Sequence, residues 1–227
     1  PGLNEKGNPH AVRLYSIASL ASRMPHSENL TLCVKRAITK DEATGQVYRG
    51  VASNFLCDSK PGDEVTLTGP AGRKFLLPVE SEIHRPYIFI ATGTGIAPFR
   101  GFLQRLFKHT PNFHSPVFLL FGVKTRAELL YDEEFRAYQH SNFFYFQALS
   151  REMKNKAGGR YYVGDIKHDH PGKLWPVISD ERAIIYMCGR KGMEEGGRKA
   201  INTLAEHHGK GANYYESIGH RIVEAVY

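Results

Sequence analysis

Ile90-Ala91-Thr92-Gly93-Thr94-Gly95-Ile96-Ala97-Pro98 runs from an apolar stretch through two glycines to a proline that suits the first turn of a helix. Such a junction reads as a buried strand feeding a helix through a turn whose backbone can approach a pyrophosphate. The helix start adds unpaired N–H groups and the positive end of a dipole. The spacing is Gly-x-Gly-x-x-Pro, not the Gly-x-Gly-x-x-Gly of the usual dinucleotide fingerprint. A merely tight connection has the same composition, so the turn alone decides the fold class and not the ligand.

Outward from it toward the C-terminus, the pattern repeats as strand, turn and helix. Strands are predicted at Tyr87–Ala91, Val117–Val123, Phe143–Leu149 and Ala183–Cys188. Helices are predicted at Pro98–His109, Asp132–His140 and Met193–His208. Short, wholly apolar strands alternating with helices predict a parallel sheet covered on both faces, an α/β domain over residues 86–227. Toward the N-terminus the grammar differs. Val12–Ala18, Leu30–Ile38 and Asp63–Thr68 read as strands, and a short helix runs to Asp58 from a cap at Ser53. Residues 1–80 therefore read as antiparallel β, part of a small barrel, with the boundary near the Pro78–Pro86 linker.

Ligands of open parallel sheets bind at the carboxyl ends of the strands. Ser150 and Arg151 follow the third strand of this set, with Arg160 and Tyr162 shortly after. A hydroxyl, two guanidinium forks and an aromatic face suit an adenosine carrying a 2′-phosphate, whereas a solvated basic edge is the plain alternative. Cys188-Gly189 ends the fourth strand with a small polarizable side chain, equally readable as a buried structural cysteine. In the β half, Arg13-Leu14-Tyr15-Ser16 sets a cationic fork beside an aromatic ring. Gly50-Val51-Ala52-Ser53 opens a helix, a second natural anion site.

The 227 residues are 41% hydrophobic, too many for a disordered chain. The longest apolar runs fall far short of the roughly 20 residues needed to span a bilayer, and no export leader is visible at the start. Cys33, Cys57 and Cys188 are odd in number and widely spaced, which argues against a disulfide framework or a zinc site and for a reducing compartment. His168-Asp169-His170 and His207-His208 read as surface histidines, and Asp132, Glu133 and Glu134 as an acidic helix start; no metal is expected. Thirty basic against 23 acidic side chains leave a net charge of +7 without any basic run. That balance favours an acidic protein or a phosphorylated small molecule over nucleic acid.

Taken together, Arg13–Ser19 (RLYSIAS), Leu32–Arg36 (LCVKR), Gly50–Asp58 (GVASNFLCD), Thr92–Phe99 (TGTGIAPF), Leu129–Phe135 (LLYDEEF), Ser150-Arg151-Glu152, Tyr186–Glu194 (YMCGRKGME) and Tyr227 resemble the plant-type ferredoxin–NADP(+) reductase family in family order. The resemblance implies an FAD-binding β-barrel, incomplete here, followed by an NADP-binding domain. It implies an oxidoreductase passing hydride between NADP(H) and FAD, and single electrons between FAD and ferredoxin or flavodoxin. Arg13, with Leu14 beside it, would hold the flavin diphosphate, Tyr15 would stack on the flavin, and Ser16 would lie near its N5. Cys33, Val34, Lys35, Gly50, Val51, Ala52 and Ser53 would complete that site. Thr92, Val123, Lys124, Ser150, Arg151, Arg160, Tyr162, Gly189 and Arg190 would line the NADP site. Cys188 would press the nicotinamide toward the flavin, and Tyr227 would cover the flavin until displaced. The implied compartment is the cytoplasm, or the plastid stroma of a eukaryote.

The sequence departs from the family at identifiable points. Barrel strands expected before RLYS are absent, and Pro1 is no natural initiator, so a longer parent chain is expected. The family's glutamate two places before the terminal tyrosine is Ala225, with Glu224 one residue earlier. The tyrosine expected on the flavin adenine is Thr39, and a glutamine beside the NADP adenine is Gly164. Two other readings stay open: the reductase portion of a multi-component oxygenase or fused electron-transfer flavoprotein, and a non-catalytic nucleotide-binding module.

Overall fold

The computed structural model describes residues 7–8, 10–20, 29–69, 72 and 74–227, so Pro1 and part of the 1–80 unit lie outside the described residues. Its elements run β1 (Ile38–Lys40), β2 (Val47–Arg49), α1 (Val51–Asp58), β3 (Tyr87–Thr92), α2 (Ala97–Lys108), β4 (Val117–Val123), α3 (Asp132–Arg136), β5 (Phe143–Leu149), α4 (Ile166–Asp169), α5 (Pro171–Ile178), β6 (Ile184–Gly189), α6 (Met193–His207), α7 (Tyr214–Ser217) and β7 (Ile222–Val226).

β3 to β7 form one five-stranded parallel sheet in the order β5-β4-β3-β6-β7. The chain moves outward from β3 to β5, then returns to lay β6 against the opposite edge of β3. The order of strands reverses between β3 and β6, and such a switch point opens a crevice at the strands' carboxyl ends. The glycine turn after Thr92 and the Cys188-Gly189 pair flank that crevice.

The period-two alternation of a strand sorts its side chains onto two packed faces. Tyr87, Phe89 and Ala91 of β3, with Tyr186 and Cys188 of β6, face α2, where Phe99, Leu103 and Leu106 are buried among them. Ile88, Ile90, Ile185 and Met187 face α5 and α6 on the other side. The first face is aromatic: Phe89 stacks on Phe99 at 4.9 Å, and Phe75 from the N-terminal half meets Tyr186 edge-on at 5.3 Å. The Tyr186 hydroxyl donates to the carbonyl of Leu76 at 2.7 Å, fastening the end of the N-terminal half to the sheet. Cys188 therefore points toward the N-terminal half.

That half holds the antiparallel pair β1 and β2, with Thr39 opposite Tyr48. Of the three strands expected there, only the end of the second forms. Val12–Ala18 touches Leu32 through a single bridge at Ile17, and Asp63–Thr68 has no strand partner among the described residues. Val12, Leu14 and Leu67 stand more than half exposed. An alternating sequence without a neighbouring ladder has nothing to satisfy its backbone groups, so pattern alone does not make a strand. The helix expected from Ser53 begins at Val51 with Gly50 as its cap. The Ser53 hydroxyl instead accepts the Ala37 N–H at 3.0 Å and donates to the Gly50 carbonyl at 3.2 Å, tying helix to strand.

Candidate functional site

The crevice is built at the β3 and β6 ends. A methyl group at Gly95 would lie 2.1 Å from the Cys188 carbonyl oxygen, so only glycine lets the turn pack on β6. The Thr92 hydroxyl accepts the backbone N–H of Arg190 at 3.2 Å, fixing the loop that carries Gly189 and Arg190 beside the turn. Cys188 is 1% exposed. Burial pushes its thiol up to about 11, although a hydrogen bond from the Ser16 hydroxyl partly offsets the shift. A β-half residue thus lies close enough to Cys188 to act on its thiol.

The chain's last strand completes the rim. β7 pairs with β6 so that Ala225 stands opposite Cys188 and Glu224 opposite Met187. Val223 and Ala225 pack with the Cys188 face, whereas Ile222 packs with the other. Glu224 thus belongs to the far face, where its carboxylate accepts the Tyr215 hydroxyl at 2.5 Å. Tyr227 is anchored by its N–H to the Gly189 carbonyl at 3.1 Å and by its carbonyl to the Lys191 N–H at 2.9 Å. Its hydroxyl meets that of Thr94 at 2.6 Å. Burial raises the Tyr227 phenol above its ordinary range, and the Thr94 hydroxyl and Gly95 N–H oppose the rise.

A second group of expected residues gathers at the ends of β4 and β5. The N–H of Ser150 reaches the Val123 carbonyl at 3.0 Å and that of Arg151 the Lys124 carbonyl at 2.8 Å. The Glu152 carboxylate accepts the Arg126 N–H at 2.9 Å, stitching the two loops together. Arg160 returns alongside through a bridge to Lys154, with its carbonyl held by the Asn155 side chain at 3.1 Å. Tyr162 is 54% exposed. The guanidinium groups of Arg151 and Arg160 carry no ion pair among the described residues, leaving both forks open to an anion. Gly164 packs with its α-carbon toward Gly196 and Ala200 of α6.

The β-half residues are more open. Arg13 turns back on its own chain, donating to the carbonyls of Ala11 at 2.9 Å and Val12 at 3.3 Å; Leu14 is exposed and Tyr15 half-buried. Cys33 and Val34 are half-buried and Lys35 is exposed. No side chain caps the N-terminus of α1, so the first N–H groups at Val51, Ala52 and Ser53 remain available to an acceptor.

Three residues of the site escaped sequence reading. Thr94 lies within the glycine turn and takes its role from its contact with Tyr227. Arg100 falls one residue beyond TGTGIAPF, and Tyr131 lies within LLYDEEF, which carries no role for it; the Arg100 contact with Ala18 in the other half has no sequence spacing to reveal it.

Comparison with known proteins places the chain among oxidoreductases in sequence and fold. Residues 89–199 match the oxidoreductase NAD-binding domain family. The chain is 46% identical to the root isozyme 2 ferredoxin–NADP reductase of Arabidopsis thaliana and 45% to the root-type isozyme of Nicotiana tabacum, both chloroplastic, over 92% of its own length. It spans 58% of the length of each. The ferredoxin–NADP+ reductase of Plasmodium falciparum superposes with a TM-score of 0.73 at 27% identity, covering all of this chain and 80% of that one. Identity of this depth across both halves makes the chain a homologue of the ferredoxin–NADP reductases.

Proposed function

We propose that this chain forms the greater part of an FAD-dependent NADPH oxidoreductase that passes electrons to a one-electron carrier such as ferredoxin or flavodoxin. The observation that carries the reading is the meeting of Ser16, Cys188 and Tyr227 at the switch point of the sheet. A β-half hydroxyl, a buried thiol and an aromatic ring come together there, between two sets of groups suited to anions.

The residues fit both ligands. The uncapped start of α1 and the Arg13 guanidinium each suit a phosphate, and the unpaired forks of Arg151 and Arg160 suit a 2′-phosphate. Tyr48, directly across from Thr39, offers an exposed ring beside the position where the resemblance implies a tyrosine. Bound FAD would supply an acceptor that takes two electrons as hydride and releases them singly.

The chain's own residues do the positioning. Ser150, Arg151, Arg160 and Tyr162 would hold the adenosine end of NADPH, with Val123 and Lys124 beneath and Thr92, Gly189 and Arg190 along its diphosphate. Cys188, kept neutral by burial, would present a compact, uncharged surface to the nicotinamide while Ser16 orients the opposing ring edge. Tyr227 would exclude water from the flavin face and yield to the nicotinamide. Cys33, Val34 and Lys35, together with Tyr15, would line the flavin layer. The net charge of +7 would steer an acidic carrier to the surface. Free Cys33, Cys57 and Cys188 suit a reducing compartment, the cytoplasm or the plastid stroma.

The test is anaerobic mixing of the full-length holoprotein with each pyridine nucleotide. NADPH is expected to bleach the flavin and NADH to do so far more slowly, with reoxidation by ferredoxin. A protein that binds NADPH without bleaching is a nucleotide-binding module, and the proposal fails.

A further inference from the structure

Arg100 occupies the seam between the two halves. It projects from the first turn of α2, only 21% exposed, and its Nε meets the Glu134 carboxylate of α3 at 2.6 Å. Gln104, one helical turn further on, donates to the other oxygen of the same carboxylate at 2.9 Å. A second guanidinium nitrogen crosses to the N-terminal half and donates to the Ala18 carbonyl at 3.0 Å. The cation also lies over the Tyr131 ring, 4.9 Å from its centre. Tyr131 is held in the left-handed region at φ +58°, an uncommon conformation for a side chain of its size. From there it lies close enough to Cys33 for each group to act on the other's titration, beneath a burial that raises both.

The two points gripped belong to one unit. The Ala18 N–H bonds the Thr31 carbonyl at 2.7 Å, Ser19 accepts the Thr31 N–H at 3.1 Å, and Ile17 bridges Leu32. Arg100 holds one segment of this pair directly and the other through Tyr131. Ser16, two residues before Ala18, is the residue that reaches Cys188. Gly101 permits the approach: a methyl group there would stand 2.8 Å from the Ser19 carbonyl oxygen.

We infer that Arg100 is a positioning residue that sets the spacing between the two ligand-holding layers, acting through Ala18 and Tyr131 on Ser16 and Cys33. Its link to turnover rests on the function proposed above; its link to the seam does not. A fork with several donors can serve a carboxylate and a carbonyl at once, which a lysine ammonium on a flexible stem does poorly.

The three cysteines report on the seam. Cys188 is buried, Cys33 is half-buried, and Cys57 is exposed on α1. In the full-length holoprotein, Arg100→Met is expected to speed iodoacetamide labelling of Cys33 and Cys188 by about tenfold or more, as loss of a charged hydrogen bond raises local opening, with Cys57 unchanged. Arg100→Lys should fall between, and Tyr131→Phe should speed Cys33 alone. Turnover of Arg100→Met should drop about tenfold with the NADPH KM within about twofold, since the nucleotide groups are untouched. Equal labelling of all three cysteines in variant and wild type, a parallel rise that includes Cys57, or a KM that moves with kcat overturns the inference. Should Arg100→Met not fold, Glu134→Gln decides: the same Cys33 and Cys188 signature at smaller amplitude is expected, and its absence is a refutation. A wild type that labels as expected but does not oxidise NADPH would sink the functional proposal and leave the seam intact.

Discussion

Glu224 reaches Tyr215 at 2.5 Å across the face of the sheet opposite Cys188. Its neighbour Ala225, one residue on, stands beside the thiol instead. One step along a strand reverses the side on which a group acts. Glu224→Gln is therefore expected to leave the pH dependence of flavin reduction unaltered. Glu224→Ala should cost about 1 kcal/mol in stability, because the Tyr215 hydroxyl loses its acceptor at a largely buried site. Denaturant titration beside a pH–rate profile checks both, and a profile displaced by Glu224→Gln would put the carboxylate at the chemistry after all.

Arg151→Ala should raise the NADPH KM by roughly 10- to 100-fold, the worth of a charged hydrogen bond to phosphate, and leave the NADH KM almost unchanged. The fork has no ion pair among the described residues, so its removal frees no buried partner and the fold should stand. Steady-state kinetics with both nucleotides decide it. Unchanged selectivity would refute the phosphate role.

Tyr227→Ser removes the ring and the phenol that meets Thr94 at 2.6 Å. NADP+ should bind more tightly and the preference over NADH should narrow, read from difference spectra of the oxidised holoprotein. Thr94→Val should move both in the same direction by a smaller amount, since the ring remains and only its hydroxyl partner is lost. If neither variant alters occupancy, the tail is no gate.

Alkaline pH offers an independent probe of the crevice. Burial pushes the folded Cys188 thiol up to about 11, above the roughly 8.5 of an unfolded thiol. Between those values the unfolded state binds fewer protons than the folded one, so stability falls as pH rises. The Cys188 contribution is whole below about pH 8.5 and lost by about pH 11. The stability difference between wild type and Cys188→Ala should shrink across that window, which cancels the titration of the tyrosines common to both. A constant difference would mean that the thiol is not shielded.

The parallel sheet was legible because its strands are apolar throughout and carry their own punctuation. Tyr87–Ala91, Val117–Val123 and Phe143–Leu149 were read to within one residue. The β half was less so. Val12–Ala18 alternates as a strand should, yet pairing depends on what lies alongside it, which no local pattern encodes. α5 was missed because Pro171 and Pro176 sit inside it, the first at a tolerated start and the second mid-helix. The strand ends carrying Thr92, Ser150, Arg151 and Cys188 could be read because topology alone sends them to one edge. Arg100 and Tyr131 could not, since their roles come from contact between the halves.

The switch point also has a history in time. Ala91 and Cys188 are register partners in adjacent strands although roughly a hundred residues separate them along the chain. A long loop must close before that pairing can form, and non-local parallel pairing is intrinsically slow. The rim at Gly95 and Cys188 should therefore be among the last regions to acquire amide protection during refolding, well after local helices such as α6. Any collapsed species that accumulates earlier would have its helices and no place to seat a nucleotide.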